Sequence, residues 1–299
     1  MLLLALLIPL GIAASIFMAL LIRSAMARGA LPKAEALVLG AITNFFDTLG
    51  IGSFAPTMAW FKFRRLLPDR LIPCTMLVGH TPPSMTQGII FLILLGVFVD
   101  PVLLVGCVLA LLLGGIFGAP LVVQSRVWII QLIVGISLLV AAGFYGLANL
   151  NLMPGGGTAT SLPLTLMIVA IVANFIFGLL LNYGVGNYAP SLAMFSLMGM
   201  DPRMSFPIMA AGAGMAGAAA GIRHIKYGEI DLKLALGLTI GGIPAVFVAA
   251  FIVKEMPLAT LRWLVLVVVL YAGLVMLRSA LGGRRDEQKL TPEAAAGPV

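Results

Sequence analysis

The chain has 299 residues, of which 61% are hydrophobic and 10% charged, against about 25% charged in a soluble domain. That balance excludes a soluble globular protein and fits a chain whose main solvent is lipid. The formal net charge of +7 lies in short loops between apolar runs, where it sets membrane orientation and does not build a nucleic-acid surface.

In chain order, the first apolar run is Leu2–Ile22. It lacks a positive leader, and Arg23 and Arg28 follow it, so it reads as a retained first helix with its N-terminus outside. The other long runs are Ile72–Val99, Val102–Val123, Val127–Ala148, Phe206–Ile222, Leu234–Val253 and Leu258–Leu277. Each is long enough to cross a bilayer as a helix. Cys74 and Cys107 lie inside apolar runs without metal spacing and read as small core residues. No metal or cofactor site, nucleotide-binding loop or paired catalytic acids are present in the pattern, so the chain does not read as an enzyme.

Two segments differ from the rest. Residues 34–63 contain FFDTLGIGSFAP and residues 163–200 contain LLNYGVGNYAP. Both are apolar at their ends and broken by Gly, Pro and polar residues. Broken backbone at membrane depth persists only where protein or a wet cavity satisfies its polar groups. The breaks also match each other, with Gly50–Thr57 aligning on Gly184–Ser191 in the pattern G-[IV]-G-[SN]-[FY]-A-P-[TS]. This match points to an internal duplication.

The distribution of basic residues bears on whether these segments cross. If both enter and return, only Arg203, Lys254 and Arg262 of the 18 Lys and Arg fall on one side. If both cross, the bias vanishes. The sequence therefore predicts an all-α integral membrane fold with inverted-topology repeats, about seven crossing helices and two re-entrant broken helical hairpins. The first repeat covers 1–125 with hairpin 34–63, and the second covers 126–255 with hairpin 163–200. A final helix covers 256–281, and a disordered cytoplasmic tail covers 282–299. The predicted location is a bacterial inner membrane, with the C-terminus cytoplasmic.

A half-helix that starts inside the membrane leaves its first N–H groups unpaired and aims a positive dipole end at whatever lies before it. Gly50, Gly52, Gly184 and Gly186 permit close backbone approach, while Ser53, Thr57, Asn187 and Ser191 supply short polar side chains. With Asn182, these residues form the predicted site for a small anion. Asp47, His80, Asn44 and Asn174 are candidates for coupling or gating. An acid at this depth needs a reason, and Asp47 reads either as a proton- or cation-exchanging group or as a cap near the hairpin tip. His80 begins a polar, kinked stretch with Thr81, Pro82, Pro83, Ser84, Thr86 and Gln87. It reads either as lining the path or as a histidine satisfied by a neighbour.

At these residues the chain resembles the TauE/SafE sulfite exporter family, also called the toluene sulfonate uptake permease family. The resemblance rests on Gly50–Thr57 and Gly184–Ser191, on LMGMDPRMSFPIMAAGAG, and on the closing run from Ile225 to Leu277. Family members show a glycine run, an apolar residue and a Pro at each break. Here the later glycines are replaced by Ser53-Phe54 and Asn187-Tyr188. The resemblance implies a secondary transporter of sulfur-containing organic or inorganic anions, of sulfite, sulfonate or sulfoacetate type, with protons as a coupling ion. Its expected partners are the small anion, protons and the lipid bilayer, and no nucleic acid; oligomeric state is open between monomer and homodimer. An anion channel and an integral-membrane enzyme acting on a lipid headgroup are the alternatives that the residues leave open.

Overall fold

The computed structural model describes residues 2–68, 71–121, 126–150, 152, 157–182, 186–227 and 230–295. The regular structure among the described residues is helical, without a sheet. Eleven α-helices run α1 Leu2–Ala27, α2 Ala34–Thr48, α3 Phe54–Arg64, α4 Ile72–Leu94, α5 Pro101–Leu121 and α6 Val127–Asn149, then α7 Leu164–Leu181, α8 Tyr188–Leu197, α9 Ser205–Tyr227, α10 Leu232–Glu255 and α11 Leu258–Ala295. Exposed aliphatic residues recur every fourth position, as in Ile8, Ile12 and Ile16 of α1 and Ile168, Val172 and Ile176 of α7. Such stripes are lipid-facing surfaces.

Among the described residues, six helices are long and apolar enough to cross a membrane: Leu3–Ala27, Pro101–Gly118, Leu164–Leu181, Pro202–Lys226, Leu232–Glu255 and Ala259–Arg285. This set differs from the seven expected runs. It contains α7, which the sequence reading made one arm of a hairpin. It omits α4, whose polar stretch from His80 to Gln87 lowers its apolar content, and α6, where a shorter apolar stretch is described, Gln131–Val140. The last helix also departs from expectation, since α11 continues to Ala295 instead of giving way to a disordered tail at 282. Arg284, Arg285, Glu287, Gln288 and Lys289 are all good helix formers, so the register of α11 carries past the two glycines at 282–283.

Both broken segments fold back on themselves. Glu35, in the first turn of α2, accepts hydrogen bonds from Trp60 Nε1 and Arg64 Nε of α3, each at 2.9 Å. The end of α3 therefore lies beside the start of α2. In the second segment the chain before α7 meets the chain after α8. Ala159 and Met200 form an isolated parallel bridge, with Asp201 N donating to Ala159 O at 2.9 Å.

Other contacts sort the remaining helix ends. Lys33 N donates to Lys233 O at 3.4 Å, and Asp231 N to Thr75 Oγ1 at 3.0 Å. The starts of α2, α4 and α10 thus share one end of the molecule. Asp100 N donates to Thr160 O at 3.0 Å, which joins the starts of α5 and α7. A helix of 21 residues such as α5 is about 30 Å long, so successive long helices carry the chain from one end to the other.

Glycines set the closest helix contacts. α2 packs on α10, where a Cβ at Gly40 would lie 2.5 Å from Leu238 O. α7 packs on α5, where a Cβ at Gly178 would meet Leu111 O. α4 packs on α9 through Gly88 against Ala211 and Gly214 against Met85. Close approach of backbones through small residues is how membrane helices gain dispersion energy when lipid tails remove the hydrophobic incentive.

Candidate functional site

The turn between α2 and α3 is built by two glycines at positive φ, Gly50 at 97° and Gly52 at 86°. Most L-residues avoid that region. A Cβ on Gly50 would also stand 3.0 Å from Leu192 Cδ2, whereas one on Gly52 would meet nothing within 4 Å. Gly50 makes the turn against α8, and Gly52 opens onto free space. The second break ends in Gly186, which also has open space around it. Gly184 lies outside the described residues.

The two tips face one cavity. Its wall includes Gly52, Ser53 and Phe54 at the start of α3, and Gly186, Asn187 and Tyr188 at the start of α8. The space open to the centre of a water-sized sphere is about 60 Å³, where one water needs roughly 10–15 Å³. It is sized for a small molecule. The polar wall adds Asp47, His80, Thr81 and Ser84, while Leu77, Leu138, Leu181 and Met276 line the apolar side. Neither Lys nor Arg is among the described residues that line it. Positive potential there comes from the first-turn N–H groups of α3 and α8, which precede any intrahelical acceptor.

Asp47 is fully enclosed and held by donors from Ser53 and Gln87. Ser53 N donates to Oδ1 at 2.6 Å and Gln87 Nε2 to Oδ2 at 2.8 Å. The carboxyl thus caps the start of α3 from within the preceding helix. Gln87 in turn accepts from the Tyr188 hydroxyl at 2.5 Å. This chain of bonds links the tips of both hairpins through α4.

His80 occupies a second buried network. Asn44 Nδ2 donates to Gly40 O at 2.8 Å, which leaves Asn44 Oδ1 as the acceptor for His80 Nδ1 at 3.1 Å. In the neutral ring this assigns the proton to Nδ1, and Nε2 accepts from Thr57 Oγ1 at 2.9 Å. His80 both lines the cavity and is satisfied by neighbours, so the two sequence readings of it are not exclusive.

Of the residues singled out from sequence, Asp47, Gly52, Ser53, His80, Gly186 and Asn187 lie around the cavity. Of the others that the structure describes, some support it from behind and some pack elsewhere. Thr57 and Asn44 hold His80. Asn182 Nδ2 donates to Gly115 O of α5 at 3.0 Å, which ties α7 to its partner helix. Asn174 Nδ2 turns back on Ala170 O at 2.8 Å. Ser191 is buried, and its Oγ makes no hydrogen bond among the described residues. Sequence reasoning missed Tyr188 and Tyr271. Tyr188 carried a signal, since it stands where the first repeat has Phe54, and a hydroxyl added at that depth needs a partner. Tyr271 is a lone polar tip in the apolar run of α11 and carried none.

No cluster of three or more His, Cys, Asp or Glu that could hold a metal occurs among the described residues. No curated protein matches the chain, and no solved structure matches it. Residues 166–299 match the family described as Sulfite exporter TauE/SafE. That family is one of membrane transporters of sulfur anions. The matched part includes α8, whose first turn forms one of the two cavity tips, together with α9, α10 and α11. The protein is thus a multi-pass membrane protein that carries a TauE/SafE sulfite exporter family domain in residues 166–299.

Proposed function

We propose that the protein is a secondary transporter of small sulfur-containing anions, with the anion bound between the tips of two re-entrant hairpins. The observation that carries this reading is the meeting of the α3 and α8 N-terminal turns in one cavity. Two converging helix N-termini supply donors and positive potential without a fixed cation. Held by neutral donors and no fixed cation, a small anion is bound firmly enough to be selected and loosely enough to be released.

The folded-back hairpins support re-entry from opposite sides. The first has its open end beside the starts of α4 and α10, and the second has its own beside the start of α5. Three helices, α4, α5 and α6, separate them. This is the plan of inverted-repeat carriers with discontinuous helices, in which one half rocks against the other. Repeats at 1–125 and 126–255 fit it. The concentration of Lys and Arg at the end that holds the starts of α2 and α10 supports placing that end in the cytoplasm. Asp47 is the coupling residue in this scheme, because a buried carboxyl at the tip exchanges a proton where the anion binds.

The test is binding followed by flux. Purified protein is screened by thermal shift against sulfite, thiosulfate, methanesulfonate, sulfoacetate and short carboxylates, since a ligand of the folded state raises the melting temperature. Sulfur anions should stabilise, and reconstituted vesicles should show saturable uptake without ATP. Carboxylates stabilising while every sulfur anion fails would overturn the substrate class. Non-saturating flux would replace the carrier with a channel.

A further inference from the structure

The chain Ser53–Asp47–Gln87–Tyr188 has a direction. Asp47 accepts from Ser53 N on one oxygen and from Gln87 Nε2 on the other. Gln87 Oε1 accepts the proton of the Tyr188 hydroxyl. An ionised carboxylate only accepts, so it fixes the amide with its nitrogen toward Asp47 and its oxygen toward Tyr188. Tyr188 is then a donor to Gln87, and its O–H is unavailable to anything in the cavity that it lines.

We propose that Gln87 is an amide relay through which a proton on Asp47 turns the Tyr188 hydroxyl into a donor for the bound anion. A proton on Oδ2 makes that oxygen a donor, and Gln87 then satisfies it only by presenting Oε1. The same half-turn of the amide presents Nε2 to Tyr188, whose oxygen now accepts. The Tyr188 proton is released to rotate into the cavity, beside the first turn of α8. No covalent bond changes except the O–H formed at Asp47, and its proton comes from solvent. The inference rests on the carrier reading above and gives that reading a proton-linked contact, with Tyr188 as an anion-binding residue and Gln87 as a positioning residue.

Besides Gln87, the Tyr188 hydroxyl has Ser84 of α4 within hydrogen-bond reach, and few titratable groups surround the network. Asp47 belongs to α2, which packs on α3, α4 and α10. On α4 the other titratable group facing the cavity is His80, whose two ring nitrogens are engaged by Asn44 and Thr57. The charged residues of α10 are Lys233, Lys254 and Glu255 at its ends, and those of α3 are Lys62 and Arg64 at its far end. Tyr271 of α11 completes the titratable lining. Asp47 is the one carboxyl among the described lining residues.

Methanesulfonate is the probe, because it stays a monoanion across the accessible pH range. Its dissociation constant is measured by calorimetry on the full-length protein from pH 5 to 9, in two buffers of different ionisation enthalpy. Wild type should take up a fraction of a proton per anion around and just above the Asp47 titration, with affinity falling about tenfold to a hundredfold in total before it levels off at high pH. Asp47→Asn keeps its oxygen on Ser53 N and turns its amide toward Gln87, which imposes the relayed state. It should bind tightly at every pH with no proton uptake. Tyr188→Phe should lose about tenfold to a hundredfold in affinity at low pH and none at high pH.

Simple charge repulsion by Asp47 predicts a different pattern, with Tyr188→Phe acting equally at all pH or not at all. Either result overturns the relay. A wild-type pH slope in Asp47→Asn also overturns it and moves the titration to His80. Tight binding by Asp47→Asn that is undone by adding Tyr188→Phe supports it, and that double variant is judged only with an unchanged melting temperature. Failure of wild type to bind methanesulfonate or sulfite at any pH overturns the carrier reading, and the relay falls with it.

Discussion

Ala159 and Asp201 are joined by a 2.9 Å backbone hydrogen bond although both helices of the second hairpin lie between them. The chain leaves this point, runs down α7, turns, and returns through α8. The 18 residues of α7 reach about 27 Å, close to a full hydrocarbon thickness, whereas the 10 residues of α8 reach about 15 Å.

This geometry predicts the labelling pattern of single cysteines in intact cells. Positions 33, 65 and 231 should react with an impermeant thiol reagent from one side, and positions 100, 160 and 203 from the other. Reaction of 160 and 203 from opposite sides would show that the second hairpin crosses.

The two cavity glycines should separate binding from folding. Gly186 has open space around it and no positive φ, so Gly186→Leu should fill the cavity, abolish anion-dependent stabilisation and leave the melting temperature of the empty protein nearly unchanged. Gly52→Leu should abolish it too, but its φ of 86° adds a destabilisation of about 1–2 kcal/mol. Undiminished stabilisation by the anion in Gly186→Leu would remove the cavity from the transport path.

Gly178→Val should damage the fold and not the site. Its Cβ would press on Leu111 O, a backbone atom of α5 that has no rotamer to escape into. Overpacking of this kind typically costs about 1–3 kcal/mol, and more where backbone must move. The expected outcome is a lower melting temperature with anion affinity per folded molecule unchanged.

Glu35 gives a pH dependence outside the membrane core. Its hydrogen bonds to Arg64 and Trp60 hold its carboxyl below the ordinary range. A carboxyl lowered in the folded state contributes stability that is fully present above its unfolded value and is lost as pH falls through the folded one. Glu35→Gln should therefore match wild type in acid and show its deficit near neutral pH. The pair is solvent-exposed, so the deficit is small and shrinks with salt.

Much of the candidate site is legible in the sequence, for a physical reason. A polar break in an apolar segment is conspicuous, and its repetition at Gly50–Thr57 and Gly184–Ser191 marks the two tips as a pair. Gly52, Ser53, Gly186 and Asn187 follow directly, and Asp47 stands out as an acid in an apolar run, although the sequence leaves open whether it exchanges a proton or caps the turn. What the pattern cannot encode is partnership across distance. The bond from Tyr188 to Gln87 joins residues on α8 and α4, and no local spacing announces it. The same limit explains why Asn182 and Asn174 read as site residues, since an amide that ties α7 to α5 looks identical in sequence to one that faces a ligand. At α4 the run Ile72–Val99 reads as a crossing, yet its polar stretch from His80 to Gln87 lowers the apolar signal enough to leave it out of the helices that length and composition alone select.

The pairing of α2 with α10 and of α7 with α5 also reaches into how the chain is made. Gly40 meets its backbone neighbour on α10 only after about 200 further residues have left the ribosome, on the order of 10–40 s at ordinary elongation rates. During that interval the first broken segment, with Asp47 on it, has no α10 to lean against and little reason to stay in hydrocarbon. The first hairpin therefore settles into the membrane late, once α10 at 232–255 has been synthesised, and chains truncated before α10 should leave residues 34–63 accessible to protease.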